Sequence, residues 1–107
     1  MKRYEIRWCR LNPIEGSEMA KTRPVVIVSR DVLNEKLDTV TVCPITSQRH
    51  PGWRTRLAVN CAGRPGEIAV DHIRSVSKAR LGPKISVLTE IEAEKLRQTL
   101  AEMYAES

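Results

Sequence analysis

Val25, Val26, Ile27 and Val28 form an unbroken β-branched run, and no other feature of the 107-residue chain restricts its fold so tightly. Branching at Cβ favours extended backbone, and four consecutive apolar residues belong in a strand covered on both faces. "PVVIVSR", 24–30, is therefore read as a buried strand with Pro24 at its first position, where a missing N–H is tolerable. Lys21, Thr22 and Arg23 stand directly before it, although a buried strand needs no charge at its mouth. On this stretch alone, Arg23 is best read as a solvated charge preceding the strand.

The flanking segments repeat the β signal. "YEIRWCRL", 4–11, sets Tyr4, Ile6 and Trp8 against Glu5 and Arg7, the alternation of a half-buried strand. "NPIEGSEMAKT", 12–22, is a long loop marked by Asn12-Pro13 and Glu15-Gly16-Ser17. "DVLNEKLD" reads as a helical turn or an irregular connection. "TVTVCPIT", 39–46, is a strand whose Pro44 implies an edge or a bulge. A basic loop, "SQRHPGWRTR", then runs into "RLAVN", and "CAGRPG" is a turn cluster. "GEIAVDHIRSVS", 66–77, gives one strand or two short ones, and "KISVL", 84–88, one more.

The end of the chain differs in kind. Thr89 followed by Glu92 makes a capping box, with Glu90 and Glu92 at the positive end of the helix dipole. Ile91, Leu96, Leu100, Met103 and Tyr104 are spaced as one apolar stripe, so a helix is predicted over about 90–105. Five to seven short strands and a closing helix predict one mainly β domain over 1–107, a small, strongly curved barrel.

Charge narrows the partners. From Thr89 onward five glutamates oppose Lys95 and Arg97, a local −3, while residues 1–88 hold sixteen Lys/Arg against eight Asp/Glu, a local +8. A basic body with an acidic end suits a polyanion partner, although a merely soluble basic surface is about as well supported. Cys9, Cys43 and Cys61 are odd in number and scattered, which fits a reducing cytosol better than a disulfide framework. "MKRYEIRW" lacks the apolar core of a signal peptide, and no run reaches membrane-spanning length, so a soluble cytoplasmic protein is expected. His50, His72 and the cysteines lack ligand spacing, and no metal or other cofactor is expected. Nucleophile-elbow, P-loop and dinucleotide motifs are absent.

What remains is a set of polar residues at strand ends. Arg23 precedes the second strand, Thr46, Ser47 and Gln48 end the third, and Asp71, His72, Arg74 and Ser75 fall within "AVDHIRSVS". Arg49, His50, Arg54 and Arg56 surround Trp53 in the basic loop. A guanidinium, hydroxyls and a carboxylate gathered at one barrel rim would suit a phosphodiester, because Arg neutralises a phosphorane and acid/base groups move its protons. An Arg/Trp loop beside them would hold single-stranded nucleic acid by charge and stacking. Each residue also has a plainer reading. Thr46 can satisfy backbone groups in a turn, Asp71 can be salt-bridged to Arg74 or Arg23, and Trp53 can be core.

Taken in order, these segments resemble the MazF/PemK family of toxin–antitoxin ribonucleases. "RWCRLNPIEGSEMAKTRPVVIVS" is similar to its N-terminal signature, "VCPITSQ" to its Pro-(Ile/Val)-Thr strand end, and "GEIAVDHIRSVSKARL" to its Asp-(Gln/His) segment. The resemblance implies a CcdB/PemK-type SH3-like barrel, usually a homodimer. It also implies metal-independent cleavage of single-stranded RNA through a 2′,3′-cyclic phosphate with a 5′-OH product, and neutralisation by a cognate antitoxin. Arg23 and Thr46 match the family residues at the scissile phosphate, and Asp71 a carboxylate that some members use as base. His72 stands where the family has Gln or His and is a proton-handling candidate, with an unpaired structural His equally in view. Lys21, Ser17, Ser47, Gln48, Arg49, His50, Trp53, Arg54, Arg56 and Arg74 are the expected RNA-binding set.

Departures are specific. Ser17 stands where some members have His, Ala69 where some have Arg, Tyr4-Glu5 replaces a Gly-Asp pair, and Ser77 replaces an Asp. They leave an Arg23/Thr46 site intact and count against a multi-residue acid/base version. Two other readings of the same fold are a non-catalytic RNA-binding module and a gyrase-blocking toxin. Against the second stand Arg23, Thr46 and the basic Trp-bearing loop.

Overall fold

The computed structural model describes residues 1–11 and 21–105, so Ser17 and most of the expected 12–22 loop lie outside the described residues. The elements run β1 (Glu5–Leu11), β2 (Lys21–Ile27), α1 (Asp31–Lys36), β3 (Thr39–Thr46), β4 (Arg56–Cys61), β5 (Arg64–Ala69), β6 (Arg74–Ser77), β7 (Leu81–Val87) and α2 (Glu90–Tyr104). Short 3-10 turns at Val70–His72 and Lys78–Arg80 flank β6. The antiparallel sheet has the order β4-β5-β3-β2-β1-β7, with β6 also on β3. It curls into a half-barrel with α2 against it, which is the mainly β, helix-closed architecture the sequence predicts.

The valine run explains the core. Val26 and Val28 enter one apolar cluster with Ile6, Cys43, Ile45, Ile68, Val70 and α2's Ala93 and Leu96. Val25 and Ile27 enter a second, with Cys9, Val40, Val42 and Val76. The strand is buried on both faces because successive side chains serve different clusters. β1 also feeds both clusters, Ile6 the first and Cys9 the second, while Trp8 and Arg10 are exposed, so its burial does not follow the simple alternation expected.

Two strand boundaries need correction, and the first moves a key residue. β2 begins at Lys21, not Pro24, because Lys21 to Pro24 pair with Leu11 to Trp8 of β1. Arg23 therefore lies within a strand rather than before it. β7 likewise begins at Leu81, with Pro83 on an edge strand whose register to β1 is interrupted by bulges. Pro44 does not mark an edge. It lies where β3's far-side partner changes from β6, opposite Thr39–Val42, to β5, opposite Ile45 and Thr46.

α2 starts at the predicted capping box, in which the Glu92 N–H donates to Thr89 Oγ1 and the Thr89 N–H to Glu92 Oε1. Its apolar stripe is shifted. Ala93 and Leu96 are buried and Leu100 and Met103 pack against them, whereas Ile91 is 70 % exposed and Tyr104 faces solvent.

Candidate functional site

The two prolines mark where the sheet opens. β2 pairs with β3 at Ile27–Val42, Val26–Cys43 and Val25–Pro44, and there the pairing stops. Continued for two residues, that register would set Pro24 opposite Ile45 and Arg23 opposite Thr46. Pro24 has no N–H to offer a ladder. Arg23 and Pro24 stay on β1, while Ile45 and Thr46 turn to Ile68 and Glu67 of β5. A cleft of about 600 Å³ lies at the divergence, with Arg23, Thr46 and Ser47 among its walls.

The cleft combines charge with apolar surface. Trp8, Pro24 and Ile85 line one side, and Cys61, Arg64 and Pro65 the other. Trp8, assigned from the sequence to a buried strand face, is 43 % exposed. Arg64 was absorbed into a turn cluster, yet it opens β5 opposite Cys61, directly after the two-residue loop Ala62-Gly63. The left-handed backbone of Ala62 and Gly63, with φ of 51° and 83°, is that of a tight type I′ hairpin. Arg64 and Trp8 are thus cleft-lining residues that the sequence reading missed. Period-two alternation could not distinguish a core tryptophan from a cleft tryptophan, and only the hairpin length points to Arg64.

Thr46 has a turn role as well as a cleft position: its Oγ1 accepts the Gln48 N–H at 3.1 Å. Gln48 and Arg49 are exposed on the segment that follows, and Lys21 is exposed at the start of β2. Arg74 is partly buried on β6 opposite Val42, away from the cleft lining.

Asp71 and His72 are not brought to the cleft lining. Arg56 Nε donates to Asp71 Oδ1 at 2.8 Å, so the partner is Arg56 rather than Arg74 or Arg23. That hydrogen bond, against the opposing effect of burial, holds the Asp71 carboxyl below its ordinary value and raises Arg56. His72 Nε2 lies 3.4 Å from Asp71 Oδ2, with its imidazole mostly in solvent. The Arg56 guanidinium also sits over Trp53, 5.1 Å from the ring centroid, and His50 stacks on Trp53 at 4.0 Å. Trp53 is 51 % exposed rather than core. His50, Trp53, Arg56 and Asp71 thus form one braced chain of contacts, while Arg54 stays exposed beside it. Among the described residues no three His, Cys, Asp or Glu side chains converge to hold a metal ion.

The chain that carries this cleft has matches along nearly its whole length in known proteins. Residues 2–104 match the model of the PemK-like, MazF-like toxins of type II toxin–antitoxin systems. The chain belongs to that family. Endoribonuclease MazF3 of Mycobacterium tuberculosis is 29 % identical over 97 residues, covering 88 % of this chain and 93 % of that protein. The solved toxin MazF-mt6 of Mycobacterium tuberculosis superposes with a TM-score of 0.80 at 25 % identity, over 96 % of this chain and 98 % of that one. The MazE–MazF structure (Form-III) from Deinococcus radiodurans gives 0.82 at 21 % identity over 100 % and 98 %, and it supports the fold alone. The half-barrel with its C-terminal helix is accordingly the CcdB/PemK-type fold of the MazF toxins.

Proposed function

We propose that this MazF-family toxin is a sequence-selective endoribonuclease that cuts single-stranded RNA without a metal, leaving a 2′,3′-cyclic phosphate and a 5′-OH. The observation that carries this is the entry of Arg23 and Thr46 into one cleft from two diverging strands. The 2′-oxygen attacks phosphorus, the P–O5′ bond breaks, and negative charge accumulates on the non-bridging oxygens. Arg23 faces that charge with a fixed cation, and the Thr46 hydroxyl donates a hydrogen bond to it. Pairing of Thr22, Arg23 and Pro24 with β1 restricts the approach of the Arg23 side chain. No carboxylate or imidazole lines the cleft among the described residues, so the reading has solvent take up the 2′-proton and protonate the departing 5′-oxygen.

Trp8 and Pro24 offer flat apolar surface to a base, and Arg64 a second cation to a neighbouring phosphate. Lys21, Arg49 and Arg54 steer the strand toward the cleft, and the +8 of residues 1–88 supports a polyanionic partner. The same charge suits an acidic antitoxin segment laid over the substrate surface, in keeping with the MazE partner of the Deinococcus toxin. A homodimer and a cytoplasmic site of action, where mRNA is met, complete the reading. No helix among the described residues is long and apolar enough to cross a membrane.

The test is incubation of purified protein with a long single-stranded RNA in EDTA, with mapping of product ends. Expected are 5′-OH ends, a loss of about 100-fold or more in Arg23→Ala and a strong loss in Thr46→Ala. Binding without cleavage points instead to an RNA-binding module, and a requirement for magnesium overturns the mechanism.

A further inference from the structure

Four polar or charged residues are buried among the described ones: Glu5, Asn34, Glu67 and Thr99. Three serve their own surroundings. Glu5 accepts from Arg7 and the Lys2 N–H, Asn34 bonds Ser29, and Thr99 bonds the Lys95 carbonyl one helical turn back. Glu67 reaches elsewhere. It is 5 % exposed, stands opposite Thr46 in the β3–β5 register, and its Oε1 accepts the His50 N–H at 2.8 Å. The carboxylate thereby fixes the segment that leaves Thr46, where the chain has quit the sheet and has no ladder partner.

The consequence for Thr46 is orientational. A threonine hydroxyl has two acceptor positions and one proton, and the proton rotates to suit its partners. The Gln48 N–H occupies one acceptor position of Thr46 Oγ1, which limits the directions the O–H can take. That restriction lasts only while residues 47–50 keep their path, and the Glu67–His50 bond holds the far end of it. A carboxylate acceptor makes the stronger kind of N–H bond, and this one is held at 2.8 Å on a 5 % exposed side chain.

We propose that Glu67 is a positioning residue for the Thr46 hydroxyl, acting through the His50 and Gln48 amides. The proposal rests on the ribonuclease reading for its consequence in catalysis, and its geometry stands apart from that reading. Glu67→Ala should lower kcat by about 10-fold with a smaller rise in KM, because Arg23, Trp8 and Arg64 keep their substrate contacts while the loosened segment carries Ser47 and Arg49. Glu67→Gln, whose side-chain carbonyl still accepts an N–H, should remain within about threefold of wild type.

A double-mutant cycle separates positioning from general destabilisation. In a Thr46→Ala background, which has no hydroxyl to orient, Glu67→Ala should change the rate by less than about twofold. Equal fold losses in both backgrounds, a wild-type kcat in Glu67→Ala, or a Gln variant as impaired as Ala would each overturn the proposal. Glu67→Met, which keeps the length and lacks the acceptor, replaces Ala if that variant does not fold. Hydrogen exchange at the Gln48 and His50 amides supplies a readout independent of cleavage, and should quicken in Glu67→Ala and not in Glu67→Gln. Should the wild type cut no RNA, the ribonuclease reading fails, while unchanged exchange is what overturns the clamp.

Discussion

Arg56 Nε donates to Asp71 Oδ1 at 2.8 Å, and the side chain that does so is only 7 % exposed. An arginine that opens β4 directly after the basic loop and a carboxylate of the Asp-His segment thus spend their charges on each other. The pair ties the loop to the 3-10 turn before β6, a connection reinforced by the Val70 N–H donating to the Thr55 carbonyl.

Asp71→Asn should therefore act on stability more than on cleavage. Its folded carboxyl is held below the ordinary value, chiefly by Arg56, so its contribution is fully present above the unfolded value. It disappears as pH falls through the lower folded value. At pH 7 the variant should lose about 1 kcal/mol, a modest figure because the carboxylate keeps part of its hydration. The melting difference from wild type should shrink toward zero in acid, and kcat at pH 7 should stay within about threefold. A loss of kcat near that of Arg23→Ala would restore Asp71 to the chemistry.

Arg64 should behave as a binding residue. It faces the cleft from the wall opposite Arg23, where a second backbone phosphate of a bound strand would lie. Arg64→Ala should raise KM by about 3- to 10-fold with kcat nearly unchanged, and lower the salt dependence of RNA binding by about one counterion. Fluorescence or filter binding at several salt concentrations measures the slope, and an unchanged slope would remove Arg64 from the interface.

How much of this was legible beforehand follows from what each pattern encodes. The valine run, the Thr89–Glu92 capping box and the strand order of the motifs are local signals, and they led to a β domain with a closing helix. Arg23 and Thr46 stand out in the sequence as polar residues near strand ends, but only the family resemblance pairs them, since their convergence depends on β2 and β3 parting at Val25–Pro44. Cross-strand partnership is invisible to local reading. Nothing near Asp71 in sequence names Arg56, and nothing in "GEIAV" separates a buried, loop-holding Glu67 from a solvated one.

Ala62 offers a test of the hairpin that delivers Arg64. A non-glycine residue at φ 51° carries left-handed strain that asparagine tolerates better. Ala62→Asn should stabilise the domain by about 0.5–1 kcal/mol, read from chemical denaturation with an unchanged m-value. Cleavage should be retained, because the backbone path into Arg64 is kept. A destabilised variant would show that the Ala62 methyl is needed for packing at the cleft wall.

The tightest geometric demand on the site falls on Gly66. A Cβ placed there would come within 3.0 Å of the Thr46 carbonyl oxygen and 3.2 Å of Ile45 Cγ2. The first neighbour is backbone, which cannot swing aside as a side chain would, so Gly66→Ala must push β3 and β5 apart at Thr46. Overpacking of this kind costs about 1–3 kcal/mol. The displaced atoms belong to the strand end that carries the hydroxyl, so activity should fall further than stability predicts. At a temperature where Gly66→Ala is fully folded by circular dichroism, kcat should be reduced by about 10-fold or more. Gly82→Ala is the control, since its Cβ would meet Trp8 Cβ at an ordinary 3.4 Å. Equal kcat in the two folded variants would show that the Thr46 carbonyl can shift without consequence for the cleft.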